Sequence, residues 1–168
     1  MDLLQHEFLF EVLKALKAEG VHTAIETSGF CLWEVFERTL PYLDLIIMDI
    51  KLADDKLHEH VTGVSNSLIL ENTKKLAGTG KQLIIRTPVI PGVNDNAEAI
   101  GDIAAIIKSF KNLLYYELMP FHQMAKSKFS SIGLKYNALE LQQPGMEQLK
   151  ALVTAAEHQG IKNVLVDI

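Results

Sequence analysis

The stretch LDLIIMDIK, residues 43–51, decides the fold class. It runs apolar from Leu45 to Met48 and then turns polar at Asp49 and Lys51. A near-continuous apolar run of this length is the pattern of a parallel strand covered on both faces. Outward from it, VHTAIET (21–27) and KQLIIRTPVI (81–90) repeat the arrangement, as do shorter segments at 112–118 and 161–167. Between them lie stretches with apolar residues at helical spacing, at 31–39, 54–61, 66–78, 96–110 and 144–159. A further amphipathic helix runs from Leu3 to a stop at Gly20. Strand and helix alternate, so the order predicts parallel strands joined by right-handed crossovers. Five strands are too few for a closed eight-stranded barrel. An open sheet, a doubly wound fold and an incomplete barrel all satisfy the pattern.

With 168 residues and 48% hydrophobic content, the chain can bury a core as one domain, residues 1–168. A domain of this size buries roughly 70% of its unfolded surface. The formal charge of −5 gives no footprint for nucleic acid or an anionic membrane. No stretch reaches the roughly 18 apolar residues of a membrane span. The single cysteine, Cys31, excludes an internal disulfide and an all-cysteine metal cage, and suits a reducing, cytoplasmic setting.

In parallel α/β folds ligands bind beyond the carboxyl ends of the strands. Those ends are polar here. Glu26 and Thr27 end the first strand, Asp49 and Lys51 the second, and Arg86 interrupts the third. Glu117 sits late in the fourth, followed by Pro120, Phe121 and His122. Each has a bland reading: a lone acid caps the next helix, and Asp49 with Lys51 makes a rim ion pair of roughly 0–1 kcal/mol. Arg86 among apolar neighbours needs a partner. Their coincidence at one end of successive strands favours a site.

Other signals resolve to structure. His58 and His60 are two apart on a helix and face different ways. The run Gly78-Thr79-Gly80-Lys81 lacks the spacing of a phosphate loop. Met119 and Met124 read as packing, and Asn94-Asp95 as a turn and helix cap.

Four blocks, HTAIETSGF (22–30), DLIIMDIKLADDKLHEHVTGVSN (44–66), IIRTPVIPGVND (84–95) and ELMPFHQMAKSKF (117–129), together resemble the activating enzymes of glycyl radical enzymes. Pyruvate formate-lyase activating enzyme is the best-known member of this radical S-adenosylmethionine (SAM) group. The resemblance covers essentially the whole chain. It implies a partial (βα) barrel with mostly parallel strands and crossover helices, its N-terminal strands missing. By the same resemblance Glu26 and Thr27 lie near the SAM methionyl group. Asp49, Ile50 and Lys51 would line the SAM pocket, with Arg86 near SAM and His122 near the nucleoside. Glu26, Thr27, Ile47 and Asp49 would form a monovalent-cation site. Two positions depart from the family pattern: Glu26 stands where Asp is common, and Ser28 where Asn is common.

The implied chemistry is reductive cleavage of SAM by a [4Fe–4S] cluster, giving a 5′-deoxyadenosyl radical that takes hydrogen from a glycine of a partner enzyme. Reduced flavodoxin or ferredoxin would supply the electron. The family's CxxxCxxC motif and GGE strand are absent, so the chain reads as the last two thirds of the family domain, inactive alone. Loss of those strands would expose the edge of the first strand and invite self-association. Two alternatives stand beside this: a small aldolase-like enzyme using Lys51 as a Schiff-base or general-base residue, and a non-catalytic nucleoside- or partner-binding module.

Overall fold

The computed structural model describes residues 5–123, 128–129, 131–133, 138 and 140–167. Met124 lies outside the described residues. Five strands form one sheet: β1 (Ala24–Thr27), β2 (Leu45–Asp49), β3 (Gln82–Val89), β4 (Leu113–Pro120) and β5 (Val164–Val166). Every neighbouring pair is parallel, and the spatial order equals the chain order. A doubly wound sheet reverses direction at a switch point; this one never does. Right-handed crossovers that always step the same way put their helices on one face. The result is a segment of a barrel wall.

The helices are α1 (His6–Ala18), α2 (Trp33–Thr39), α3 (Asp55–Thr62), α4 (Ser67–Ala77), α5 (Ala97–Ile107) and α6 (Met146–His158). Local chemistry sets several of their ends. Asp54 accepts from the Leu57 amide to cap α3, Gly63 closes it with φ 84°, and Asn96 accepts from the Ala99 amide to cap α5. The cap at α5 is therefore Asn96, one and two residues beyond the Asn94-Asp95 pair to which the sequence assigns it.

One face of the sheet is sealed. Ile25, Ile46, Met48, Leu83, Ile85, Tyr116 and Leu118 are buried there in one cluster with Leu13, Phe36, Leu76, Ile103 and Leu152 from the helices. The intervening residues Glu26, Ile47, Asp49, Arg86, Tyr115 and Glu117 remain partly or fully exposed on the other face. This corrects the expectation that residues 43–51 are covered on both sides. Helices supply only one cover, and the opposite row keeps its contact with solvent. The first strand is also shorter than 21–27, because residues 21–23 leave the sheet to meet the Asp44 carboxylate through the Thr23 amide and hydroxyl.

Candidate functional site

Register brings the polar strand ends together. Asp49 of β2 stands opposite Arg86 of β3, which stands opposite Glu117 of β4. Glu26 of β1 lies one step down, opposite Ile47. Adjacent parallel strands are roughly 4.8 Å apart, so these side chains are neighbours on the open face. Arg86 is the hub: its Nε donates to Glu117 Oε2 and its Nη1 donates to Glu26 Oε2 at 3.0 Å. The two arms differ in environment. The Glu117 side chain is 13% exposed, whereas Glu26 is 53% exposed. Burial works against the Arg86 charge, but the hydrogen bond and charge of Glu117, with the charge of Glu26, hold its pKa above the usual arginine value.

Asp49 is only half engaged. Its Oδ2 accepts from the Lys51 ammonium at 3.3 Å. Its Oδ1 is buried and has no hydrogen-bond partner among the described residues. A buried carboxylate oxygen left without a donor is costly, and such groups point to a missing ligand, ion or water.

The segment carrying Asp49 and Lys51 is held from behind by main-chain and buried side-chain bonds. The Ile50 amide donates to Arg86 O at 2.9 Å, and Thr87 Oγ1 donates to Ile50 O at 2.6 Å. Tyr116 OH donates in turn to Thr87 Oγ1 at 2.9 Å, and burial pushes that phenol's pKa well up. Asn94, almost wholly buried, donates to Lys51 O and Pro88 O and accepts from the Ile90 amide. Sequence inspection sees a turn residue at Asn94. Its bracing of the β2 and β3 exits rests on contacts up to 43 residues away in the chain and has no linear signature.

The other expected site residues divide. Ile47 is on the open row beside Glu26. Thr27 faces the helices and its hydroxyl accepts from the Gly29 amide at 3.0 Å. The Ile50 side chain is in the core and both its main-chain groups are engaged, so its part is to carry Asp49 and Lys51. His122, just past β4, borders a concavity of about 380 Å³ shared with Phe121, Gln123 and Leu141. Among the described residues no three His, Cys, Asp or Glu side chains group as metal ligands. His58 is buried with Nδ1 at 2.8 Å from Val64 O, while His60 is exposed. An amine poised for Schiff-base chemistry is typically desolvated; Lys51 is paired and 38% exposed.

A same-direction parallel sheet, a sealed face packed by α1, α2, α4, α5 and α6, and a charged row at the strand ends define a partial-barrel protein. Residues 2–103 match the model of the Radical SAM superfamily, and the chain belongs to that superfamily. Its similar proteins narrow the neighbourhood. It is 44% identical over 136 residues to a 4-hydroxyphenylacetate decarboxylase activating enzyme of Clostridioides difficile (strain CD196), covering 80% of this chain and 43% of that protein. It is 34% identical over 154 residues to a pyruvate formate-lyase-activating enzyme of Staphylococcus epidermidis, covering 88% of this chain and 61% of that one. The chain thus spans less than two thirds of the length of these relatives. In fold it resembles the crystal structure of a domain of pyruvate-formate lyase-activating enzyme from Bacteroides vulgatus ATCC 8482, with a TM-score of 0.82 at 24% identity over 99% of this chain and 93% of that one. No helix among the described residues is long and apolar enough to cross a membrane.

Radical SAM proteins use SAM and a [4Fe–4S] cluster. The two groups fit this chain differently. The open row offers an acceptor without a donor at Asp49, cations at Lys51 and Arg86, and carboxylates at Glu26 and Glu117, a set suited to a zwitterionic, sulfonium-bearing ligand. A cluster held by three thiolates does not fit, since Cys31 is the chain's only cysteine.

Proposed function

We propose that this chain is the SAM-binding portion of an activase that places a glycyl radical on a partner enzyme, and that alone it does not cleave SAM. The observation that carries the proposal is the buried, unpartnered Oδ1 of Asp49, in register with Arg86 and Glu117 at the carboxyl ends of three adjacent strands. Asp49 accepts from the ligand's amino group, and Lys51 and Arg86 meet its carboxylate. His122 approaches the nucleoside. Oxygens of Glu26, Thr27, Ile47 and Asp49 hold a monovalent cation. When bound beside a reduced cluster, SAM supplies the radical chemistry that removes hydrogen from a glycine. The chain's own residues orient the ligand and keep its charged head paired.

In the parent protein the partner is a glycyl radical enzyme of the pyruvate formate-lyase kind, reduced flavodoxin or ferredoxin is the electron donor, and the setting is the cytoplasm. Four relatives, each named as an activating enzyme, support this reading.

Calorimetric titration of SAM tests it. Weak binding is expected, reduced about tenfold or more by Asp49→Asn, since loss of a charge-assisted hydrogen bond costs roughly 1.5–3 kcal/mol. His122→Ala should weaken it less. Absence of binding at millimolar SAM, or unchanged affinity in Asp49→Asn, would overturn the site. Cluster absorbance and 5′-deoxyadenosine formation after anaerobic reconstitution of the isolated chain would overturn its inactivity.

A further inference from the structure

At the opposite end of the sheet from the Arg86 row, β4 and β5 part company. β5 is three residues long and pairs only with Tyr116, Glu117 and Leu118. Among the described residues, those of β4 before Tyr116 therefore have no strand beside them on that side. The register slips there too: Leu83 pairs with Leu113 and Ile84 with Tyr115, which leaves Leu114 as an extra residue. A bulge of this kind bends the strand and re-aims its side chains. The turn after α6 crosses the gap, tied by the Asn163 amide group donating to Leu114 O at 3.1 Å.

What results is a concavity of about 310 Å³ lined by Phe110, Leu113 and Ile161 together with the exposed Lys108, Lys111 and Lys162. The three lysines come from the segment after α5 and the one after α6, so the fold, rather than one basic stretch, assembles them. None of them enters an ion pair among the described residues, whereas Lys17, Lys51, Lys75 and Lys150 all do. No Asp or Glu is among the described residues lining the concavity. In a chain of net charge −5, an acid-free concavity with three unpaired ammonium groups is a local reversal of sign. Three cations close together repel one another, and that repulsion is relieved by an anion.

We propose that this concavity binds a small organic phosphate, with the phosphate on the lysines and an apolar or planar portion against Phe110 and Leu113. The volume is that of a small-molecule site, at the lower end of the roughly 300–1,000 Å³ range. An acidic protein surface would be read by a broad basic face, while here the charge borders a hollow with apolar lining residues. The site lies apart from the SAM face, and its occupancy does not depend on the reading of that face.

The test is a titration of the whole chain, followed by amide chemical shifts, with adenosine 5′-monophosphate, inorganic pyrophosphate and adenosine as probes. Saturable shifts at residues 108–115 and 160–163 are expected with both phosphates. Adenosine should bind at least tenfold more weakly than its monophosphate. The variant Lys108→Gln/Lys111→Gln/Lys162→Gln, all at exposed positions, should keep the dispersed spectrum and lose at least tenfold in affinity, and Lys56→Gln should behave as the native chain. Raising salt from 0.05 to 0.5 M should weaken binding severalfold. Equal binding of adenosine, shifts that survive the triple substitution, or an acidic peptide binding there while the phosphates do not would each overturn the proposal.

Discussion

Replacing Arg86 by Met removes the hub of the open face and keeps most of its apolar stem. The structure distinguishes the two bonds that are lost. The Glu117 arm joins two side chains that are 23% and 13% exposed, so Glu117 is left largely desolvated without its cation. A charge-assisted hydrogen bond in such a setting contributes about 2 kcal/mol, within the usual range for charged partners. The Glu26 arm ends on a carboxylate that is 53% exposed, and an exposed pair contributes about 0.5 kcal/mol. Arg86→Met is therefore expected to destabilise by about 2–3 kcal/mol. At this chain length that lowers the melting temperature by roughly 4–12 °C. Double-mutant cycles resolve the arms: urea unfolding of Arg86→Met, Glu117→Gln, Glu26→Gln and the paired variants. The Arg86–Glu117 coupling should be several times the Arg86–Glu26 coupling and should persist in 1 M salt, where the exposed arm is screened. Equal couplings, or an Arg86–Glu117 coupling under about 0.5 kcal/mol, would refute the argument that burial decides between the arms.

The remaining predictions concern the scaffold. The Lys17 ammonium and the Thr23 amide hold the Asp44 carboxyl well below the usual carboxylate range. A lowered folded-state pKa gives stability that is present above the unfolded aspartate value of about 3.9 and is lost as pH falls through the folded value. Asp44→Asn should thus destabilise fully at pH 7 and progressively less below pH 4; a deficit that stays constant down to pH 2 would contradict it. Gly29 has φ 71°, and a Cβ there would strike the end of the buried Met48 side chain, 2.8 Å from its Sδ. Gly29→Ala should cost about 3 kcal/mol, combining left-handed strain and overpacking. Gly63→Ala, at φ 84° in open space, should cost only about 1 kcal/mol, and equal losses by chemical denaturation would show that packing at Gly29 is not limiting. Among the described residues β1 pairs on one side only, with β2; that edge should let the chain self-associate, and a constant monomer mass by light scattering across concentrations would count against it.

The strands were legible because apolar β-branched runs such as LIIM and LIIR carry their own signal, and the polar residues that end them mark the functional end of the sheet. Helix boundaries were legible to within a few residues for the same local reason: the break at Gly63 is nearest-neighbour chemistry, although the cap of α5 fell on Asn96 rather than on Asn94-Asp95. The site was visible as a set of candidates, Glu26, Asp49, Lys51, Arg86, Glu117 and His122, but not as an arrangement. Arg86 lies 60 residues from Glu26 and 31 from Glu117, and register alone makes it their common partner. Asn94 read as a turn residue because its bonds to Lys51 O and Pro88 O exist only once β2 and β3 are side by side.

The sequence by itself determined the alternation of strand and helix, the polar strand ends and, through its one cysteine, the lack of thiolates for a cluster in this chain. Alternation fits a reversing sheet and a same-direction sheet equally well, since each crossover is locally identical. Only the tertiary structure decided that β1 to β5 follow one another without reversal. That order put α1, α2, α4, α5 and α6 on one face and left LDLIIMDIK covered on that face alone. It also left one oxygen of Asp49 buried without a donor among the described residues. Hydropathy along a chain reports whether a residue avoids water, whereas which face of a sheet is closed depends on how successive strands are stacked.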